Sequence, residues 1–218
     1  MNYFLIGIFG LAAYLIGAVP TALWVGKAYF GIDIREHGSG NSGATNTFRV
    51  LGKKPGSVVM AVDIFKGWTA TSLVGFLIIF NAIPADYIVP CQLLYGFLAV
   101  IGHVYPVYAG FKGGKGVATL LGMVLAIYPG VAFICLGIFL IVLLISKYVS
   151  LSSMVAAVSF PLLMLLPWFR PEHSEGLLLG FGAFVALLVI YTHRKNISRI
   201  RQGTESRVRI SFGSKRNS

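Results

Sequence analysis

Between Tyr3 and Phe30 the chain carries one charged side chain, Lys27, and comparable apolar runs recur to the end of the molecule. They lie at Ser57–Phe80, Tyr87–Tyr105, Val117–Ser146, Leu151–Phe169 and Gly176–Thr192. A helix that crosses a bilayer needs about 20 predominantly apolar residues. In hydrocarbon the backbone must satisfy its own hydrogen bonds, which a helix does within one segment. The residues are 56% hydrophobic and 11% charged, whereas a soluble domain carries roughly a quarter charged. The expected fold is therefore an all-α polytopic membrane protein. The start, MNYFLIGIFGLAAYLIG, lacks a basic n-region and is longer than a secretory h-region, so it reads as a retained transmembrane helix. Cys91 and Cys135 sit inside apolar runs, without CxxC spacing or nearby histidines, and read as small buried hydrophobes. No metal site is expected.

The run Val117–Ser146 is long for one span and short for two, and Pro129-Gly130 interrupts it. Basic residues collect at cytoplasmic helix ends. With two helices in this run there are about seven spans. Lys27, Arg35, Arg49, Lys53, Lys54, Lys66, Lys112, Lys115, Lys147 and the basic C-terminal tail then share one side, with Arg170 opposite. The expectation is an outside N-terminus and a cytoplasmic C-terminus. The whole chain, 1–218, reads as one domain with cytoplasmic segments at 31–56, 103–116 and 192–207 and a disordered basic tail at 208–218. The net charge of +11 suits anionic lipid heads or anionic substrates. Scattered over short loops, it does not form a nucleic-acid surface.

These three segments hold the unusual polar residues. In the first, Gly38, Gly40 and Gly43 permit tight turns, Ser39, Asn41, Thr45 and Asn46 supply neutral donors, and Arg49 offers a planar fork suited to phosphate. In the second, Lys112-Gly113-Gly114-Lys115-Gly116 reads as an anion cradle, its N–H groups exposed before a helix starting at Val117. It is not an ATP-binding P-loop: that pattern wants Gly where Ala109 stands and Ser or Thr where Gly116 stands. In the third, His193 and Asn196 fall three apart on what reads as a continuing helix, sharing a face, and Glu205 follows. Asp63 and Lys66 stand in the early turns of the second span and form an ion pair that supports the loop above, with Lys66 alternatively reaching a substrate phosphate. His103 reads as a structural hydrogen-bonding group.

Taken in order, GSGNSGATN with Arg49 downstream, Asp63 with Lys66-Gly67, GHVYP followed by FKGGKGVAT, and HRKNISRIRQGTE closely resemble the bacterial acyl-phosphate:glycerol-3-phosphate acyltransferases. The resemblance covers nearly the whole chain. Ser42 departs from it where proline is often found. It implies a cytoplasm-facing enzyme of the bacterial inner membrane, working as a monomer without cofactor. It also implies acyl phosphate and glycerol 3-phosphate as substrates, membrane lipid as surroundings, and lysophosphatidate and inorganic phosphate as products of the first acylation in phospholipid synthesis. By motif, glycerol phosphate belongs near Ser39, Arg49, His193 and Asn196, and the donor phosphoryl group on Lys112–Gly116. Asn41, Thr45 and Asn46 would shape the first loop, and Glu205 would tie the tail to it. The base is either His193, whose ordinary pKa suits the task, or a substrate phosphate. Two rival classes fit less well. A transporter would bind near the midplane between repeats, and a CDP-alcohol phosphotransferase would need clustered aspartates, whereas Asp33, Asp63 and Asp86 lie far apart.

Overall fold

The structure, a computed structural model, describes residues 1–169 and 175–208. Arg170, which entered the charge argument, and the tail from Arg209 onward, which was expected to be disordered, lie outside the described residues. Among the described residues every regular element is helical. Met1–Ala132 forms one compact unit, and most of the chain after it forms a second.

The first unit contains α1 (Tyr3–Gly17), α2 (Thr21–Phe30), α3 (Ala44–Val50), α4 (Lys53–Ser72), α5 (Val74–Ile79), α6 (Ile88–Val104) and α7 (Val117–Ile127). Pro20, which has no N–H to donate, separates α1 from α2 at a 40° bend. Helix association in lipid lacks a hydrophobic drive and depends on close van der Waals contact between small residues. Two such contacts organise the unit. Gly67 of α4 lies against the Thr119 backbone of α7, while Gly122 of α7 lies against the Ile64 and Trp68 backbone of α4. Gly17 of α1 meets Ala99 of α6, and Gly102 of α6 meets Tyr14 and Ala18. Ala13, Ala70, Leu77, Tyr95 and Ala99 fill the core between these helices, with Cys91 among them as a buried hydrophobe. The Tyr95 hydroxyl donates to Ile6 O at 3.1 Å, which satisfies the polar tip of that core residue.

The second unit takes in α9 (Val149–Met164), α11 (Arg194–Arg201), and most of α8 (Pro129–Ser146) and of α10 (Glu175–Thr192). In α9, Ser152, Ser153 and Ser159 turn their hydroxyls back onto carbonyls four residues earlier, which hides the polar groups of an otherwise apolar helix. Cys135 of α8 is also buried.

The runs Lys53–Ile79, Ala85–Ala109 and Pro129–Ser146 are long and apolar enough to cross a membrane. Two bent pairs, Tyr3–Gly17 with Thr21–Phe30 and Gly176–Thr192 with Arg194–Arg201, reach that length if each is one span. Val117–Ile127 and Val149–Met164 are apolar but shorter. Pro129 thus splits the ambiguous run, giving α7 and α8. Two expectations are corrected. The segment 31–56 is not all loop, since α3 lies within it and α4 begins at Lys53. Asp63 and Lys66 consequently stand in the middle of α4 rather than in its early turns.

The glycine contacts yield a stability prediction. A Cβ at position 122 would strike the Ile64 carbonyl, whereas nothing lies within 4 Å of one at position 7 or 75. Gly122→Ala should destabilise the detergent-solubilised protein by about 1–3 kcal/mol, in the range of overpacking. Gly7→Ala and Gly75→Ala should melt with wild type in the same thermal unfolding assay.

Candidate active site

The first polar loop is anchored by Ile34, fully buried against Ala22 and Val59. Asn46, 1% exposed, organises the turn above it. Its Oδ1 accepts from Ser39 N at 2.8 Å and Ser39 Oγ at 3.1 Å, and its Nδ2 donates to Ile34 O and His37 O, both at 3.0 Å. Both donors and both acceptor sites of the amide are used, so Asn46 shapes the loop and has no capacity left for a ligand. Gly38 and Gly40 take φ of 62° and 72° to pass around it. Thr45 and Arg49 are exposed one turn apart on α3, and Asn41 and Gly43 are half-buried at its start. Ser39 is exposed at the rim of the turn.

The second loop differs from the expected cradle. The Gly113 N–H donates to Val104 O and the Gly114 N–H to His103 O, each at 3.1 Å. These donors close the last carbonyls of α6 and do not face outward, which corrects the expectation that they lie open to an anion. The glycines serve close approach instead. A Cβ at 113 would collide with His103 O, and one at 114 with the His103 ring at Nε2. Gly116 takes φ 80° and caps α7. Of the two lysines, Lys112 is exposed and Lys115 half-buried.

Sequence reasoning missed the clasp between these two loops. Arg35 places Nε 3.0 Å from Asp33 Oδ1 and Nη2 2.7 Å from Oδ2, and its remaining Nη1 donates to Ala109 O at 2.9 Å. Ser42 Oγ adds a longer tie to Lys112 O at 3.5 Å. A cleft of about 710 Å³ opens here, lined by Lys27, Asp33, Arg35, Glu36, Tyr108 and Lys112 among others. The Arg35 fork holds the Asp33 carboxyl down at about 2, below its ordinary 3.8, against the opposing effect of burial. The signal in the sequence is Asp33-Ile-Arg35 just before the glycines, but the third partner lies 74 positions away.

In the second unit the helix does not continue through His193. α10 and α11 meet there at 56°. The backbone of Asn196 still meets that of His193, its N–H donating to His193 O at 2.8 Å in the first turn of α11. His193 is buried, and its Nδ1 lies 2.8 Å from Val189 O. A carbonyl only accepts, so Nδ1 carries the proton and in the neutral ring the lone pair is on Nε2. Asn196 Nδ2 donates to Glu205 Oε1 at 2.6 Å, joined by Ser150 Oγ at 2.8 Å, while Arg199 Nε meets Oε2 at 2.8 Å. Burial alone would raise the Glu205 pKa, but these three donors together bring it below the usual value. The expected tie from Glu205 to the first loop is corrected: its carboxylate clamps α9 and α11 and orients Asn196. Among the described residues no group of three His, Cys, Asp or Glu side chains could hold a metal ion.

The glycerol-3-phosphate acyltransferase family model matches residues 7–203. A glycerol-3-phosphate acyltransferase of Chlorobaculum tepidum is 46% identical, over 94% of this chain and 96% of that protein. One of Salinibacter ruber is 46% identical, over 91% and 90%. The chain belongs to the glycerol-3-phosphate acyltransferase family. It is also similar to the crystal structure of PlsY (YgiH), an integral membrane glycerol 3-phosphate acyltransferase, in its glycerol 3-phosphate form. That match has a TM-score of 0.80 and 36% identity over 94% of this chain and 96% of that one. The lysophosphatidic acid form of PlsY matches with a TM-score of 0.77 at the same identity. The molecule is thus a multi-pass membrane acyltransferase that acts on glycerol 3-phosphate, and the polar segments described above are those of an enzyme.

The clasp of this acyltransferase has a defined acid response. Because the folded pKa of Asp33 is depressed, its stabilising contribution is complete above the ordinary value of 3.8 and fades as pH falls through about 2. Asp33→Asn should therefore melt below wild type at about pH 6, and the gap should close as the pH approaches about 2. A gap independent of pH would show that the carboxylate charge does not hold the loops together.

Proposed function

We propose that the enzyme transfers a long-chain acyl group from acyl phosphate to the sn-1 hydroxyl of glycerol 3-phosphate, giving lysophosphatidate and inorganic phosphate. One observation carries the reading. The similar PlsY is described in a glycerol 3-phosphate form and in a lysophosphatidic acid form, and these differ by one acyl group on one hydroxyl. The cations support it as well: Arg49 and Lys112 are exposed and Lys115 is half-buried on polar segments between apolar helices. Both substrates carry phosphate and one is a lipid.

In this scheme Ser39, Arg49, His193 and Asn196 handle glycerol phosphate. Asn41, Thr45 and Asn46 shape the first loop, and the donor phosphoryl group meets the charges of Lys112 and Lys115, while Gly113, Gly114 and Gly116 fold the backbone that carries those lysines. Glu205 fixes Asn196. The hydroxyl oxygen attacks the acyl carbon, the bond from that carbon to the phosphate oxygen breaks, and phosphate leaves with its electron pair. The hydroxyl proton goes to His193 Nε2 or to a substrate phosphate. The lone pair on Nε2, set by the Nδ1–H bond to Val189 O, suits the first role. An acyl phosphate is already an activated mixed anhydride, so positioning and charge stabilisation suffice and no acyl-enzyme is needed. The excess of Lys and Arg on the motif-bearing segments favours about seven spans, an outside N-terminus and chemistry at the cytoplasmic face of the bacterial inner membrane, with the monomer as the working form.

The test is turnover by purified protein in lipid, given palmitoyl phosphate and glycerol 3-phosphate. Phosphate and lysophosphatidate should appear in equal amounts. Lys115→Ala and Asn196→Ala should each lower the rate about 100-fold or more, as for loss of a preorganised contact to developing charge. Folded wild type that is inert with palmitoyl phosphate but active with palmitoyl-CoA would replace the proposed donor.

A further inference from the structure

Asp63, Lys66 and His103 are buried ionisable side chains to which the reaction above gives no work, and in a membrane helix such residues call for a reason. Lys66 Nζ lies 2.9 Å from Asp63 Oδ1 and donates to Val19 O at 3.0 Å. Thr21 Oγ1 also approaches Asp63 Oδ1, at 3.4 Å. On the remaining side the geometry falls short. His103 Nδ1 is 3.6 Å from Asp63 Oδ1, too far for a direct hydrogen bond, and no protein group among the described residues lies within reach of it. The ring is nevertheless only 7% exposed.

A cavity of about 10 Å³ is lined by His103 together with Thr21, Ser42, Asp63, Lys66 and Gly113 among others. A water requires roughly 10–15 Å³ of such space and two to four polar partners, and polar groups slightly beyond contact distance are commonly bridged by one. The ammonium of Lys66 disfavours a metal cation, and the ring of donors and acceptors disfavours an apolar occupant. We propose that this cavity is the binding site of a single water molecule that joins His103 Nδ1 to Asp63, and that His103, so held, is a positioning residue for the glycine loop.

The second half follows from the opposite edge of the ring. Gly114 N–H donates to His103 O, and a Cβ at Gly114 would strike His103 Nε2. The loop bearing Lys112 and Lys115 therefore rests on the histidine, so a tilt of the ring displaces it. The bridging water fixes the tilt by tying Nδ1 to a carboxylate that Lys66 holds in turn. The kinetic consequence rests on the reading given under Proposed function, whereas the water site does not.

A high-resolution crystal structure of the wild-type protein tests the site directly. Density for one water within hydrogen-bonding distance of both His103 Nδ1 and the Asp63 carboxylate is expected. A closed cavity, or a His103 ring turned to bond Asp63 directly, overturns the proposal, whether or not the protein makes lysophosphatidate. Kinetics test the positioning role. In His103→Asn the amide takes the place of Nδ1 and keeps the water, and both constants should stay within about threefold of wild type. In His103→Leu the water loses its partner. The KM of the phosphorylated substrate seated on the glycine loop should then rise about tenfold with kcat little changed. Equal losses in the two variants would overturn the role assigned to Nδ1. A fall in kcat alone would make His103 a participant in the chemistry instead. Should the leucine variant not fold, the wild-type density still decides.

Discussion

The Asp63–Lys66 pair is the interaction on which the first unit depends. Two charges in the middle of a membrane helix carry a large desolvation cost, which only good geometry and further hydrogen bonds offset. Here they find both. Lys66 reaches the Val19 carbonyl at the break made by Pro20, and Thr21 from the first turn of α2 approaches the carboxylate. The pair thus fastens α4 to the point where α1 gives way to α2, and so sets the direction in which α2 delivers the first polar loop.

Above that anchor the two loops are held by side chains whose polar groups are committed to the protein itself. Asn46 consumes its whole amide within the first loop, and Arg35 spends one face on Asp33 and the other on the carbonyl of Ala109. The glycine loop donates two N–H groups back to the helix before it. The side chains left toward solvent, among them Thr45, Arg49 and Lys112, then project from a fixed backbone. Such preorganisation suits acyl transfer, in which fixed groups stabilise developing charge without having to reorganise. In the second unit Glu205 does the same for Asn196, drawing three donors onto one carboxylate.

Much of this was legible in the sequence. The apolar runs mark the helices because hydrocarbon leaves the backbone no other way to satisfy itself. Asp63 and Lys66, three apart, announce their own pairing. Pro129 splits the ambiguous run where a missing N–H predicts a break. What stayed hidden depends on contacts distant in sequence. Nothing near Gly113 or Gly114 tells whether their N–H groups face a ligand or the end of α6, since a glycine needed for close approach looks the same as one needed to cradle an anion. Arg35 reads as one more cytoplasmic charge until Ala109 is brought beside it. The bend at His193 has no proline or glycine to signal it, and Glu205 shows its partners only once α9 and α11 lie together.

The shortness of α7 carries a further consequence. Eleven residues from Val117 to Ile127 rise about 16 Å, close to half of a hydrocarbon core of about 30 Å. At any tilt, Tyr128 therefore stands no more than about one leaflet's depth from the glycine loop. Across the break Tyr128 N donates to Val124 O and Ala132 N to Tyr128 O, so these backbone groups stay paired. A helix of that rise matches the depth of one monolayer rather than the full thickness of a bilayer.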